Sequence, residues 1–107
     1  MIRRGDIARV SLRGDYGKPR PAVVIQSDLL ADLDSVVICP ITSAIRDAVF
    51  RISIGPSPVN GLEKPSQVMV DKPVTLPRVK VSAPVGRIEP EEMRSIERAI
   101  LLVIGVA

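Results

Sequence analysis

The chain has 107 residues, 46% of them hydrophobic, and that apolar content is almost wholly aliphatic, Tyr16 and Phe50 being the only aromatics. This length suits one domain over residues 1–107, large enough for a core and small enough to gain from dimerisation. With no histidine, one cysteine and a net charge of +3, the composition sets aside internal disulfides, cysteine-cluster metal sites and the common histidine-dependent hydrolases.

The longest apolar run, residues 99–107, contains a glycine and is too short to span a bilayer. Asp6 and Arg9 interrupt what would have to be the apolar region of a signal peptide. These features point to a soluble, cytoplasmic protein with no membrane partner. The charge is uneven: residues 1–20 hold six Lys/Arg against two Asp, and residues 21–60 hold two against four. A basic N-terminal segment favours an anionic partner, nucleic acid among them.

In chain order, residues 7–12 alternate loosely between apolar and polar, as a half-buried strand does. Residues 13–20 form a loop too long for a tight hairpin and rich in charge. Residues 21–26 follow as a second strand, whose Ala22-Val23-Val24-Ile25 run suits burial on both faces. Ser27 is placed to cap one helical turn through Asp28, Leu29 and Leu30. A third strand over 36–41 contains Cys39, expected as a buried, inert thiol, and Pro40, and it delivers Thr42-Ser43 at its end. Residues 49–54 alternate as a fourth strand, and Gly55-Pro56-Ser57-Pro58-Val59-Asn60-Gly61 reads as a turn-rich connector. Pro65-Ser66-Gln67 introduces a fifth strand over 68–71, which Pro73 ends or edges. Residues 76–80 read as irregular, with at most a single turn, and residues 83–88 as a last short strand. Glu89-Pro90-Glu91-Glu92 opens the one long helix, with Pro90 at its first position and acidic side chains at the positive end of the dipole. Met93, Ile96, Ile100 and Val103 fall on one face of it, and Gly105 ends it. Five or six mostly antiparallel strands and a C-terminal helix make a small β-barrel-like α+β domain.

Arg20 stands out. Pro19 and Pro21 fix φ on either side of it and hold its neighbours extended, so it has little backbone freedom to lose on binding an anion. Its guanidinium is permanently charged and presents a planar fork to phosphate oxygens.

Five stretches, in order along nearly the whole chain, resemble the MazF/PemK family of toxin endoribonucleases of type II toxin–antitoxin systems. These are Arg4-Gly5-Asp6-Ile7; Arg20-Pro21 running into Val23-Val24-Ile25-Gln26-Ser27-Asp28; Pro40-Ile41-Thr42-Ser43; Gly61-Leu62 with Pro65-Ser66 and Val70-Asp71; and Gly86-Arg87-Ile88 with Glu92-Met93. The resemblance implies an SH3-like barrel working as a homodimer. It implies sequence-specific cleavage of single-stranded mRNA without metal or cofactor, through the ribose 2′-hydroxyl, leaving a 2′,3′-cyclic phosphate and a 5′-hydroxyl. It further implies neutralisation by a MazE-like antitoxin with an acidic tail, DNA being engaged only through the antitoxin complex. By the same match the catalytic arginine falls on Arg20, the hydroxyl residue on Thr42, and an acidic loop residue on Asp15.

The chemistry agrees with that assignment. Attack by a 2′-hydroxyl builds a phosphorane whose added charge calls for fixed donors, which Arg20 and the stiff Thr42 side chain supply. Asp15 either accepts a proton or holds Lys18 or Arg20 in place, the second being preferred. Lys18, Arg78 and Lys80 are expected as phosphate contacts, which set affinity, and Ser43 and Gln67 as readers of base edges. Asp71 is followed by Lys72-Pro73-Val74 rather than the family's usual glutamine and later basic residue, so one basic contact is moved or lost. Two alternatives share the fold: a CcdB-like, non-catalytic inhibitor of DNA gyrase, and a catalytically inactive barrel that binds a partner. The apolar run over 99–104 is the sequence motive for a homodimer.

Overall fold

The computed structural model describes residues 2–12 and 18–107. Among these residues seven strands occupy Asp6–Val10 (β1), Arg20–Val24 (β2), Ser35–Thr42 (β3), Arg51–Ile54 (β4), Ser66–Met69 (β5), Val74–Pro77 (β6) and Gly86–Arg87 (β7), and one α-helix spans Pro90–Val103 (α1). The strands form a single antiparallel sheet in the order β4-β5-β3-β2-β1-β7, with β6 also paired to β3.

The eight-residue β3 organises the sheet. One edge pairs with β2, setting Ala22 opposite Pro40 and Val24 opposite Ile38. The other edge pairs first with β6, over Ser35 to Ile38, and then with β5, at Ile41 and Thr42. Pro40, which has no N–H to give, falls between the two pairings, where the outer partner changes. Beyond β6 a 3₁₀ turn, Arg78–Lys80, carries the chain to Val81, which bridges Val10 at the end of β1. The sheet thereby curls on itself into a half-barrel.

This curl makes two cores. Val10, Ala22, Val24, Val36 and Ile38 are buried inside the curl with Val74, Leu76 and Val81 against them. Ile7, Val23, Cys39, Ile41, Ile54, Val68 and Val70 face the other way and are covered by Met93, Ile96 and Ala99 of α1. Because β2 and β3 are covered on both faces, they read as unbroken apolar runs.

Several boundaries differ from expectation. β1 stops at Val10 rather than 12, because Ser11 N turns to the Lys80 carbonyl. β2 stops at Val24 rather than 26. The amides of both Ile25 and Gln26 converge on the Val37 carbonyl, and the Gln26 side chain accepts from Val37 N and donates to Leu30 O and Ser35 O. β4 begins at Arg51, leaving Val49 exposed. β5 runs from Ser66 to Met69 rather than over 68–71, since Lys72 N closes a turn on Met69 O. β7 is two residues long, not six. β6 includes Leu76 and Pro77, which were expected as irregular chain: the strand follows Pro73 and ends on Pro77, and the open edge of β3 makes a strand of it.

Ser27 caps its 3₁₀ turn, its Oγ accepting from Leu29 N. Pro90 opens α1, and Glu92 reaches back to Glu89 N at 2.9 Å. At the far end Gly105 adopts φ +82°, with Gly105 N on Leu102 O and Val106 N on Leu101 O, a Schellman ending. The buried face of α1 is Met93, Ile96 and Ala99; Ile100 is half-buried and Val103 is exposed, contrary to the face expected. Leu101, Leu102, Val103, Ile104 and Val106 form an exposed apolar end to the chain. No helix among the described residues is long and apolar enough to cross a membrane.

Candidate active site

Antiparallel pairing brings particular strand ends to one rim of the sheet. The first residue of β2 (Arg20), the last of β3 (Thr42) and the first of β5 (Ser66) lie there, next to Arg9 near the end of β1. They line one open cleft of about 500 Å³ together with Ser43, Lys64, Glu63, Leu62, Met69 and Val85. Arg20 and Thr42, 22 positions apart in sequence, therefore share one site. The hydroxyl of Thr42 accepts a hydrogen bond from Ala44 N at 3.1 Å. That occupies a lone pair and leaves its O–H available as a donor.

One wall of the cleft is the connector after β4. Asn60 is buried and organises it: Oδ1 accepts from Ser57 N and Leu62 N, both at 3.0 Å, and Nδ2 donates to Gly55 O at 2.8 Å. Gly61 takes φ +70°, and Arg87 N ties the turn to β7 through Val59 O at 2.9 Å. Gly86 lies so close beneath it that a Cβ there would stand 2.3 Å from Asn60 O. β7 is fixed in turn by Asp6, a buried carboxylate that accepts from the Arg87 guanidinium and from Arg3 N.

The other expected site residues are dispersed. Lys18 and Lys80 are exposed and outside the cleft lining. Arg78 is not brought to the cleft: its guanidinium donates to Leu33 O (3.0 Å) and Ala31 O (3.1 Å), pinning the turn before β3. Gln67 is not presented to a ligand either. It is 4% exposed, and its carboxamide is spent on the backbone of Arg46, donating to its carbonyl at 2.7 Å and accepting from its N–H at 2.9 Å. Ser43 does line the cleft. Asp15 lies outside the described residues.

Two cleft cations escaped the reading of the sequence. Arg9 stands opposite Pro21 in the β1–β2 ladder, beside Arg20, and Lys64 faces the cleft two residues before Ser66. Folding residues 7–26 as a hairpin would have put Arg9 next to Arg20. Among the described residues the lining thus carries Arg9, Arg20 and Lys64 against one carboxylate, Glu63. Cys39 takes no part: burial, and then the nearby Asp71 charge, push its thiol from an ordinary 9.0 up to about 12. Among the described residues no three His, Cys, Asp or Glu side chains come together as metal ligands. The arrangement is suited to gripping a phosphodiester with permanent positive charge and hydroxyl donors.

Residues 3–104 match the family model described as PemK-like, MazF-like toxin of type II toxin-antitoxin system. A protein of Mycolicibacterium smegmatis described as probable endoribonuclease MazF is 42% identical over 108 residues, covering 99% of both chains. Among solved structures, Mycobacterium tuberculosis toxin MazF-mt6 superposes with a TM-score of 0.83 at 23% identity, over 95% of this chain and 98% of that one. An endoribonuclease from a mycobacterial species, in complex with its cognate antitoxin, reaches a TM-score of 0.86 at 21% identity, over 100% and 98% of the two chains. The half-barrel with a cleft at its strand ends is thus the fold of a known class of toxins. This chain belongs to the PemK-like, MazF-like toxin family of type II toxin–antitoxin systems. The family expected from the sequence is borne out, in preference to the gyrase-inhibitor alternative.

Proposed function

We propose that the protein is a sequence-specific, metal-independent endoribonuclease toxin that cuts single-stranded mRNA in the cytoplasm, with residues 1–107 as its one toxin domain. The observation that carries this reading is the meeting of Arg20 and Thr42 in one cleft, with Arg9 and Lys64 alongside. The identity of 42% to a described endoribonuclease over the full chain supports it.

In this mechanism the 2′-oxygen of the nucleotide before the cut attacks the adjacent phosphorus. Its proton passes to solvent water, and the phosphorane collapses with cleavage of the bond to the 5′-oxygen, which takes up a proton from solvent. The products are a 2′,3′-cyclic phosphate and a 5′-hydroxyl. Arg20 holds two phosphate oxygens, and its permanent, planar positive charge offsets the one that develops, so it serves as an electrostatic donor rather than as the base. Thr42 donates its O–H to the same phosphoryl group. Arg9 and Lys64 contact phosphates on either side, which fixes register without reading sequence.

The protein acts as a homodimer joined through the exposed apolar end formed by Leu101, Leu102, Ile104 and Val106, and a monomeric mass by light scattering at micromolar protein would refute that. A MazE-like antitoxin neutralises it by laying an acidic, extended tail over the basic cleft, and contact with DNA is made only through that complex. The test of the activity is incubation with a long single-stranded RNA in excess EDTA, followed by mapping of 5′ ends. Discrete cuts bearing 5′-hydroxyls, absent with Arg20→Ala, are expected. No cuts over a varied sequence would leave the inactive, partner-binding barrel.

A further inference from the structure

We propose that Gln67 is a positioning residue for the Thr42 hydroxyl, acting through the loop that follows β3. This deepens the proposed function and rests on Thr42 being a donor to the phosphoryl group. Three contacts connect Gln67 to that hydroxyl. Thr42 and Gln67 are direct partners in the β3–β5 ladder, so the loop over 43–46 leaves the sheet beside Gln67. The Gln67 carboxamide then closes that loop by bonding both the N–H and the carbonyl of Arg46, as a neighbouring strand would. Inside the loop so closed, Ala44 N points back at Thr42 Oγ1. A threonine hydroxyl rotates freely unless its oxygen is engaged. Here the Ala44 amide takes one acceptor site, which leaves the O–H to donate on another side, and Thr42 lines the cleft. The amide can do this only while residues 43–46 keep their shape, and Gln67 provides the two side-chain bonds that clamp the far end of the loop.

Among the described residues the Gln67 carboxamide bonds to the Arg46 backbone alone. It is 4% exposed, lies between Thr42 and Ser53 in the ladders, and spends its amide wholly on one residue of a loop whose own side chains are exposed. A buried carboxamide with both ends satisfied by one backbone residue fixes geometry at that residue.

The experiment compares Gln67→Leu and Gln67→Glu with the unaltered protein. The glutamate keeps an acceptor for Arg46 N and loses the donor to Arg46 O. Both variants are expected to lower kcat about ten- to a hundredfold with KM changed less than twofold, since a donor shifted by a fraction of an ångström to 1 Å loses that much. In a Thr42→Val background, read at single turnover with excess enzyme, Gln67→Leu is expected to have no further effect. Equal losses in both backgrounds would make Gln67 a merely structural residue and overturn the proposal. A second readout needs no RNA: amide hydrogen exchange at Ala44 and Arg46 is expected to speed up at least tenfold in Gln67→Leu, with exchange in β2 unchanged. Unchanged exchange at Ala44 overturns the proposal, and where Thr42→Val cuts too slowly to time, this arm decides alone. If the unaltered protein cuts no RNA while the exchange result holds, it is the proposed function that fails and not the clamp.

Discussion

Gly86→Ala tests how the cleft wall is held. A Cβ at position 86 would stand 2.3 Å from Asn60 O, 2.4 Å from Asn60 C and 2.7 Å from Val59 O, where ordinary contact begins at 3.4 Å. The turn must therefore recede by about 1 Å, and what recedes is backbone, not the end of a flexible side chain. That backbone is held by three bonds to the Asn60 side chain and one from Arg87 N to Val59 O. Gly61 beside it is also closely approached, since a Cβ there would stand 2.6 Å from Val85 O. Forced overpacking costs about 1–3 kcal/mol, and weakening one or two hydrogen bonds adds roughly 1 kcal/mol each. A loss of about 2–5 kcal/mol is expected, lowering Tm by roughly 8–40 °C for a domain of this size. Urea unfolding at a fixed protein concentration measures it, with the midpoint moving and the slope constant. Gly55→Ala is the control: nothing lies within 4 Å of that Cβ, so a change between zero and about 1 kcal/mol in the stabilising direction is expected. A loss below 1 kcal/mol in Gly86→Ala would refute the close contact and the wall built on it.

Other substitutions probe other links. Arg20→Lys keeps the charge and loses the planar fork, so kcat should fall about a hundredfold while RNA affinity at low salt changes little; full activity in a cleavage assay would contradict the assignment. Asp6→Ala removes the bonds to Arg87 and Arg3 N. Each charge-assisted bond contributes about 1.5 kcal/mol, discounted because the Arg87 side chain is 52% exposed, so a loss of about 2 kcal/mol in urea unfolding is expected. The Cys39 thiol ionises at 9.0 when unfolded and at about 12 when folded, so its contribution to stability is complete below pH 9 and is lost as pH rises from 9 to about 12. The slope should be at most about 1.4 kcal/mol per pH unit and absent in Cys39→Ala. A thiol reagent at pH 8 should modify Cys39 only after urea is added.

Where one covalent neighbourhood carries the signal, the sequence was legible. The two-faced burial of β2, the caps at Ser27 and Pro90, the Gly105 ending and the buried thiol all follow from local patterns. Arg20 and Thr42 were singled out by residue chemistry and by the family resemblance, and the fold then placed them together. β6 was not legible, because Val74 to Pro77 has no strand pattern of its own and depends on an edge of β3 forty positions away. The backbone partners of Gln67 and Arg78 were not legible for one reason: a polar side chain that satisfies a distant backbone carbonyl looks, in sequence, like one waiting for a ligand. Arg9 was passed over because its partner lies across a long loop. The exposed end of α1 was legible as apolar, but not that Ala99, rather than Val103, turns inward.

The cleft is lined by residues from position 9 to position 85, and Gly86 and Arg87 lock its wall. A growing chain that has reached Thr42 already contains both proposed reacting groups, yet it has neither β5 nor the 61–64 wall to complete the pocket. Such non-local pairings form late, and α1, made last, covers the core beneath β3 and β5. The proposed cleavage site is thus built from parts that are all present only once the chain has been made through Arg87.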